Sequence, residues 1–160
     1  MSLQEMIGTM DELSDVHDEL IATSDEKAQT IINNDIPALQ QVLIKERKLV
    51  QKLQQSEKRR TEATERYATE RGLPEVTVTA ILDSLDSETD QQKFEKAAVK
   101  LTEKLAELKS KEQASRALVE QSMQFIQYSL NLLSPSINTM NYGSGKDKKS
   151  GNRSVFDSKA

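Results

Sequence analysis

Cysteine and tryptophan are both absent from the 160 residues, and histidine occurs once, at His17. Without thiols there is no disulfide framework, no thiolate nucleophile and no cysteine-ligated zinc. Aromatic residues make up only 4% of the chain, with 5 glycines and 3 prolines. So few large rings leave little to fill a compact globule, and so few breakers leave long stretches free to stay helical. The core must be thin and built from Leu, Ile, Val, Met and Ala. No apolar run approaches the roughly 18 residues that cross a bilayer. The acidic start, MSLQEMIGTMDELSD, lacks the basic segment and apolar run of a signal peptide. These absences predict an all-α cytoplasmic protein with no membrane insertion.

Charge narrows the partners. The formal net charge is -4, unevenly placed. From Gly143 onward, Lys146, Lys148, Lys149, Arg153 and Lys159 outnumber Asp147 and Asp157, so the excess negative charge lies in the body. An acidic body excludes nucleic acid as the main partner, because phosphate binding needs a concentrated basic face.

What the chain does have is helical periodicity. Leu3, Met6, Ile7, Met10, Leu13, Leu20, Ile21, Ala28, Ile31 and Ile32 step by threes and fours, with His17 and Ser24 interrupting the same stripe. NNDIP then predicts a turn, with Asp35 as N-cap and Pro37 in the first turn of a second helix. That helix carries Leu39, Val42, Leu43, Leu49, Val50 and Leu53. It continues through the polar stretch QQSEKRRTEATER, where pairs such as Glu62 with Arg66 add about 0.3 kcal/mol each. Gly72 is the expected C-cap. A short helix over 78–85, held by Ile81, Leu82 and Leu85, forms an elbow. A third long helix, 88–133, shows Phe94, Ala97, Ala98, Leu101, Leu105 and Leu108 on its stripe and stops before Pro135. The expected architecture is an elongated antiparallel bundle of three main helices, 1–134, followed by a disordered C-terminal tail, 135–160.

Catalytic chemistry finds no foothold. His17 sits in SDVHDELIAT, where an exposed phosphoacceptor competes with a register-setting polar residue in the bundle seam; the acids that follow it favour the seam. One histidine among scattered carboxylates is no metal-ligand set. Asp83, Asp86, Glu88 and Asp90 lack the central glycine and alternating ligands of a calcium loop. YGSGKDKKS has no strand before it or helix after it, so it is no phosphate loop. The sequence predicts no catalytic residue, no metal and no cofactor.

The end of the last helix is the informative excess. Leu118, Val119, Met123, Phe125, Ile126, Leu130, Leu132 and Leu133 fall on adjacent rows, Leu118–Phe125–Leu132 beside Val119–Ile126–Leu133. One stripe serves a helix's own core. A second implies another apolar neighbour, which is either the rest of the bundle or a partner helix laid in a groove.

In its order of elements the chain resembles the FlgN family of flagellar type III export chaperones. NDIPALQQVLIKERKLVQKL stands where members have a D-x-x-A-L second-helix start. RALVEQSMQFIQYSLNLL stands where they have a Leu-rich run ending in a Phe-Ile or Tyr-Ile pair, here Phe125-Ile126. YGSG stands where many carry a Tyr-x-x-x-Gly element, while KEQASRA replaces the two Asn residues often found before the run. The resemblance implies a chaperone, not an enzyme. Its cargo would be the C-terminal helical segment of the first and third hook-associated proteins, which form the hook-filament junction. Leu118, Val119, Ser122, Met123, Phe125, Ile126, Leu130 and Leu133 are then the expected cargo-binding residues. It also implies that a tyrosine near the end, Tyr142 first and Tyr128 second, docks on the cytoplasmic domain of the export gate. Val155 and Phe156 are the expected tail anchor, covering part of the empty cargo groove or extending the cargo contact.

Overall fold

The computed structural model describes residues 2–133. Tyr142, Val155, Phe156 and the expected tail lie outside them. Four helices are present among the described residues: α1 Ser2–Ile32, α2 Ile36–Glu70, α3 Val78–Ser84 and α4 Glu88–Leu133. The chain divides into a first unit, Met1–Leu118, and a second that begins at Val119.

The helix ends follow from local chemistry. At the end of α1, Asn34 takes φ 55°, and Asp35 N–H reaches back to Thr30 O at 3.0 Å. At the end of α2, Gly72 takes φ 64°, with Leu73 N–H to Ala68 O at 2.9 Å and Gly72 N–H to Thr69 O at 3.2 Å. Both are left-handed caps that satisfy last-turn carbonyls, one built on asparagine and one on glycine. Asp35 then starts α2 by accepting from Ala38 N–H at 3.1 Å, with Pro37 close behind, as expected. Thr77 caps α3 through Ala80 N–H. Gln91 holds the start of α4 to the elbow, donating from Nε2 to Leu85 O at 2.8 Å.

Register is set through α1. Glu5, Glu12, Glu19 and Glu26 recur one heptad apart, and their partners Arg66, Arg59, Lys52 and Lys45 recur one heptad apart in reverse order. The four rungs make α2 antiparallel to α1. On another side of α1, Asp18 pairs with Lys104 and Asp25 with Lys111, both at 2.8 Å. Here both helices advance by a heptad together, so α4 runs parallel to α1. Heptad spacing keeps the same faces in contact over successive turns. Arg66 therefore serves Glu5 at 2.8 Å rather than the expected Glu62. The stretch around it is not polar all round, since Ser56, Ala63, Thr64, Tyr67 and Ala68 are buried. Small buried side chains at Ser56 and Ala63 on α2, and at Ser14 and Thr23 on α1, suit close helix approach.

The core is asymmetric. Met6, Met10, Tyr67, Ile81, Leu85, Phe94 and Ala97 form one apolar cluster at the elbow end. Toward the other end of α1 buried polar residues join Leu13, Val16, Leu20, Ile21 and Val42 in the seam. His17 is 4% exposed, and its Nδ1 lies 2.7 Å from Leu13 O. A carbonyl only accepts, so Nδ1 carries the proton and His17 acts as a seam residue. Ser24 Oγ meets Ser115 Oγ at 3.5 Å. Lys27 Nζ contacts Glu46 Oε2 at 2.7 Å and Glu112 Oε2 at 3.0 Å, tying α1, α2 and α4 at one level. Burial works against the charged ammonium, but the hydrogen bonds and charges of Glu46 and Glu112 outweigh it, so the Lys27 pKa is raised. Leu105, expected in the stripe of α4, is instead exposed.

Removing Lys27 leaves two carboxylates facing each other. Breaking a fully buried pair costs about 3–5 kcal/mol; with both glutamates partly exposed, Lys27→Met is expected to cost about 1–3 kcal/mol at neutral pH by urea unfolding. Adding Glu46→Gln and Glu112→Gln should recover most of it. Because the folded pKa is raised, the contribution of Lys27 is complete below its ordinary value of 10.5 and is lost as pH rises through the folded value. The difference between wild type and Lys27→Met should therefore shrink in strong alkali. The glycines predict opposite signs. A Cβ at either Gly72 or Gly8 meets nothing within 4 Å, so only the backbone decides. Gly72→Ala should destabilise by about 1–2 kcal/mol because of its positive φ, whereas Gly8→Ala within α1 should stabilise by about 0.5–1 kcal/mol; melting curves of both variants read the difference.

Candidate functional site

The second unit's described residues are the final turns of α4, from Val119 to Leu133. Good helix formers carry it this far. Glu120 and Tyr128 are its only ionisable side chains, so neither charge pattern nor acid-base chemistry organises the surface. Its pattern is apolar rows at heptad spacing. Phe125 and Leu132 form one, Val119, Ile126 and Leu133 a second, and Met123 and Leu130 a third. Ser122 and Ser129 run between the first two. The opposite face holds Glu120, Gln124, Gln127 and Asn131.

Every one of these apolar residues is exposed: Phe125 at 68%, Met123 at 64% and Leu133 at 71% mark the extent. Ser122 is exposed too, and Leu118, the last residue of the first unit, is half-buried. Isolated exposed leucines are ordinary. A continuous set covering three heptad rows is not, and makes this face the candidate interaction surface. The structure brings Val119, Ser122, Met123, Phe125, Ile126, Leu130 and Leu133 onto one broad face of one helix, with Tyr128 at its edge. Tyr142, Val155 and Phe156 cannot be assigned to it.

Two features escaped the reading of the sequence. The face has three apolar rows rather than two, the third visible in the Met123–Leu130 spacing. The centre row also changes character along α4: Phe94, Leu101 and Leu108 give way to Ser115, Ser122 and Ser129. A serine floor between large side chains is a row of sockets, each able to receive a knob from a facing helix. The heptad recurrence of serine was the available signal.

No helix among the described residues is long and apolar enough to cross a membrane. Among them, too, no group of three or more His, Asp and Glu residues could hold a metal ion.

Comparison with known proteins gives a family. The FlgN family model, described as FlgN protein, matches residues 1–150. The protein named Uncharacterized protein YvyG, from Bacillus subtilis (strain 168), is 28% identical over 163 aligned residues, covering 100% of this chain and 100% of the relative. No solved structure matches. A family match over nearly the whole of an all-helical chain, with the expected elements in the expected order, means that this chain belongs to the FlgN family of flagellar export chaperones, a family of chaperones rather than of enzymes.

Proposed function

We propose that the protein is a cytoplasmic chaperone for the hook-associated proteins of the hook-filament junction, the first and the third. It holds their C-terminal helical segment, prevents premature assembly and delivers them to the flagellar type III export gate. The observation that carries this reading is the exposed apolar face of α4 from Val119 to Leu133. A subunit segment that assembles through helical packing buries an apolar stripe in its final neighbours. Until then that stripe needs a substitute neighbour, and a helix with unburied heptad rows is one. Phe125 and Ile126 are the central anchors, Val119, Met123, Leu130 and Leu133 extend the contact, and Leu118 and Ser122 complete its near end.

On the same reading, residues 1–134 form the chaperone domain and 135–160 the tail. Tyr142, with Tyr128 as the second candidate, docks on the cytoplasmic domain of the export gate, and Val155 with Phe156 covers part of the cargo groove. A single aromatic anchor on a short segment makes a small contact that exchanges quickly. That suits a protein that must release its cargo.

Light scattering of the purified protein, alone and with a junction subunit, tests the reading. Wild type should form a one-to-one complex, and Phe125→Asp with Ile126→Asp should lose it. Loss of two central apolar anchors corresponds to at least about 3 kcal/mol, or more than a hundredfold in Kd. Helicity should be unchanged, since both side chains are exposed. A tight homodimer that binds no subunit would replace the chaperone with a coiled-coil scaffold. For the gate, Tyr142→Ala should abolish binding to the purified cytoplasmic gate domain while leaving cargo affinity within about twofold; equal loss of both would refute separate sites.

A further inference from the structure

The first unit has an open side of its own. Both ion-pair ladders run through α1, so α2 and α4 are each fastened to α1 by one flank. The opposite flank of α2 carries Leu43 and Val50 one heptad apart. The opposite flank of α4 carries Leu105, one heptad before Glu112. Lys27 bridges Glu46 and Glu112 between these helices, which directs the two flanks toward each other. In a closed three-helix seam such residues would be covered. Here Val50 is 39% exposed, Leu43 41% and Leu105 54%. The α2–α4 side therefore leaves an apolar strip on each helix uncovered, and together we take them as the walls of one cleft.

Its rim is basic. Continuing outward from these rows, α2 presents Arg47 and α4 presents Lys109 and Arg116, all exposed. The ladder register brings Arg47 level with the turn of α4 that carries Lys109. None of the three has an ion-pair partner among the described residues, whereas Lys27, Lys45, Lys52, Lys104 and Lys111 all do. Glu46 and Glu112, which neighbour them on the two helices, are engaged by Lys27. On a chain of net charge -4, unpaired cations on both lips of an apolar cleft are selective for the opposite sign.

We infer that this cleft is a second docking site, and that its occupant is an acidic amphipathic helix of the cargo, with apolar residues at heptad spacing and Asp or Glu along its edges. The inference rests on the proposed chaperone function and extends it, because the face beyond Val119 is nearly uncharged and recognises shape alone. The cleft adds charge. Electrostatic complementarity at an exposed rim contributes discrimination and association rate, and is screened by salt.

Calorimetric titration of the full-length chain with a purified junction subunit decides this. Arg47→Glu, Lys109→Glu and Arg116→Glu together should weaken binding about tenfold at low salt, with the gap closing to about threefold or less near 0.5 M NaCl. Leu43→Asp with Val50→Asp should weaken it at both salt concentrations. If both cleft variants bind within about twofold of wild type while Phe125→Asp with Ile126→Asp does not bind, the cleft is not a cargo site and the proposed function stands. If wild type itself binds no subunit, the proposed function fails and the cleft inference with it. If wild type is a dimer that charge reversal makes monomeric, the occupant is a second copy of the chain, which also overturns the inference.

Discussion

Everything in the first unit depends on heptad register across α1. An isolated exposed ion pair contributes under about 1 kcal/mol, so the ladders are not there chiefly for strength. Their value is that each rung is correct in only one alignment. A slip by one helical turn would set Glu19 and Glu26 against the wrong residues of α2 and pull Asp18 and Asp25 off Lys104 and Lys111 together. Lys27 reinforces the same alignment from inside. It can satisfy Glu46 and Glu112 at once only when all three helices are in step. A partly buried ion triad is a weak source of net stability but a strict specifier of register.

That division of labour explains the uneven core. The large apolar residues gather where α3 turns the chain, around Tyr67, Phe94 and Ile81, and supply the hydrophobic stabilisation. The seam beyond them is narrow and mixed, with His17, Ser24, Ser115 and Lys27 set among Leu13, Val16, Leu20 and Val42, and its polar members supply the alignment. α1 stops at Ile32 because Asn33, Asn34 and Asp35 make the left-handed cap. By the register of the α1–α4 ladder, Ile32 is level with Leu118. From Val119 the same heptad frame persists along α4, and its apolar residues are exposed.

The helices were legible in the sequence because their ends are local chemistry: Asp35, Pro37 and Gly72 act within a turn of themselves. The exposed end of α4 was legible as excess, since Phe125 and Ile126 continue rows that a single seam does not need. The ladders were not read, although Glu5, Glu12, Glu19 and Glu26 share a heptad. A recurrence within one helix becomes an interaction only once the facing helix and its direction are known, and Arg66 looked equally suited to Glu62 on its own helix. Leu105 failed for the same reason. Periodicity assigns it to the inward stripe, but its cover depends on how far α2 closes on α4. Sequence reports what a residue would bury, and tertiary geometry decides whether anything arrives to bury it.

The two exposed surfaces differ in what they can select. The face from Val119 to Leu133 offers Met123, leucines and a serine floor, with a single carboxylate at Glu120 on its back. Such a surface binds by burial and shape, and methionine adapts to varied knobs. It would accept several apolar helices of the right spacing with similar affinity, which on the proposed function fits a chaperone serving more than one junction subunit. Discrimination against the many other amphipathic helices in a cell has to come from a feature that penalises the wrong partner. Arg47, Lys109 and Arg116 are suited to that task. A basic helix laid on this side would meet three cations without ion-pair partners among the described residues, whereas an acidic one would neutralise them. Promiscuity within a class and rejection outside it are then carried by different parts of the molecule, and each can change without disturbing the register that α1 imposes.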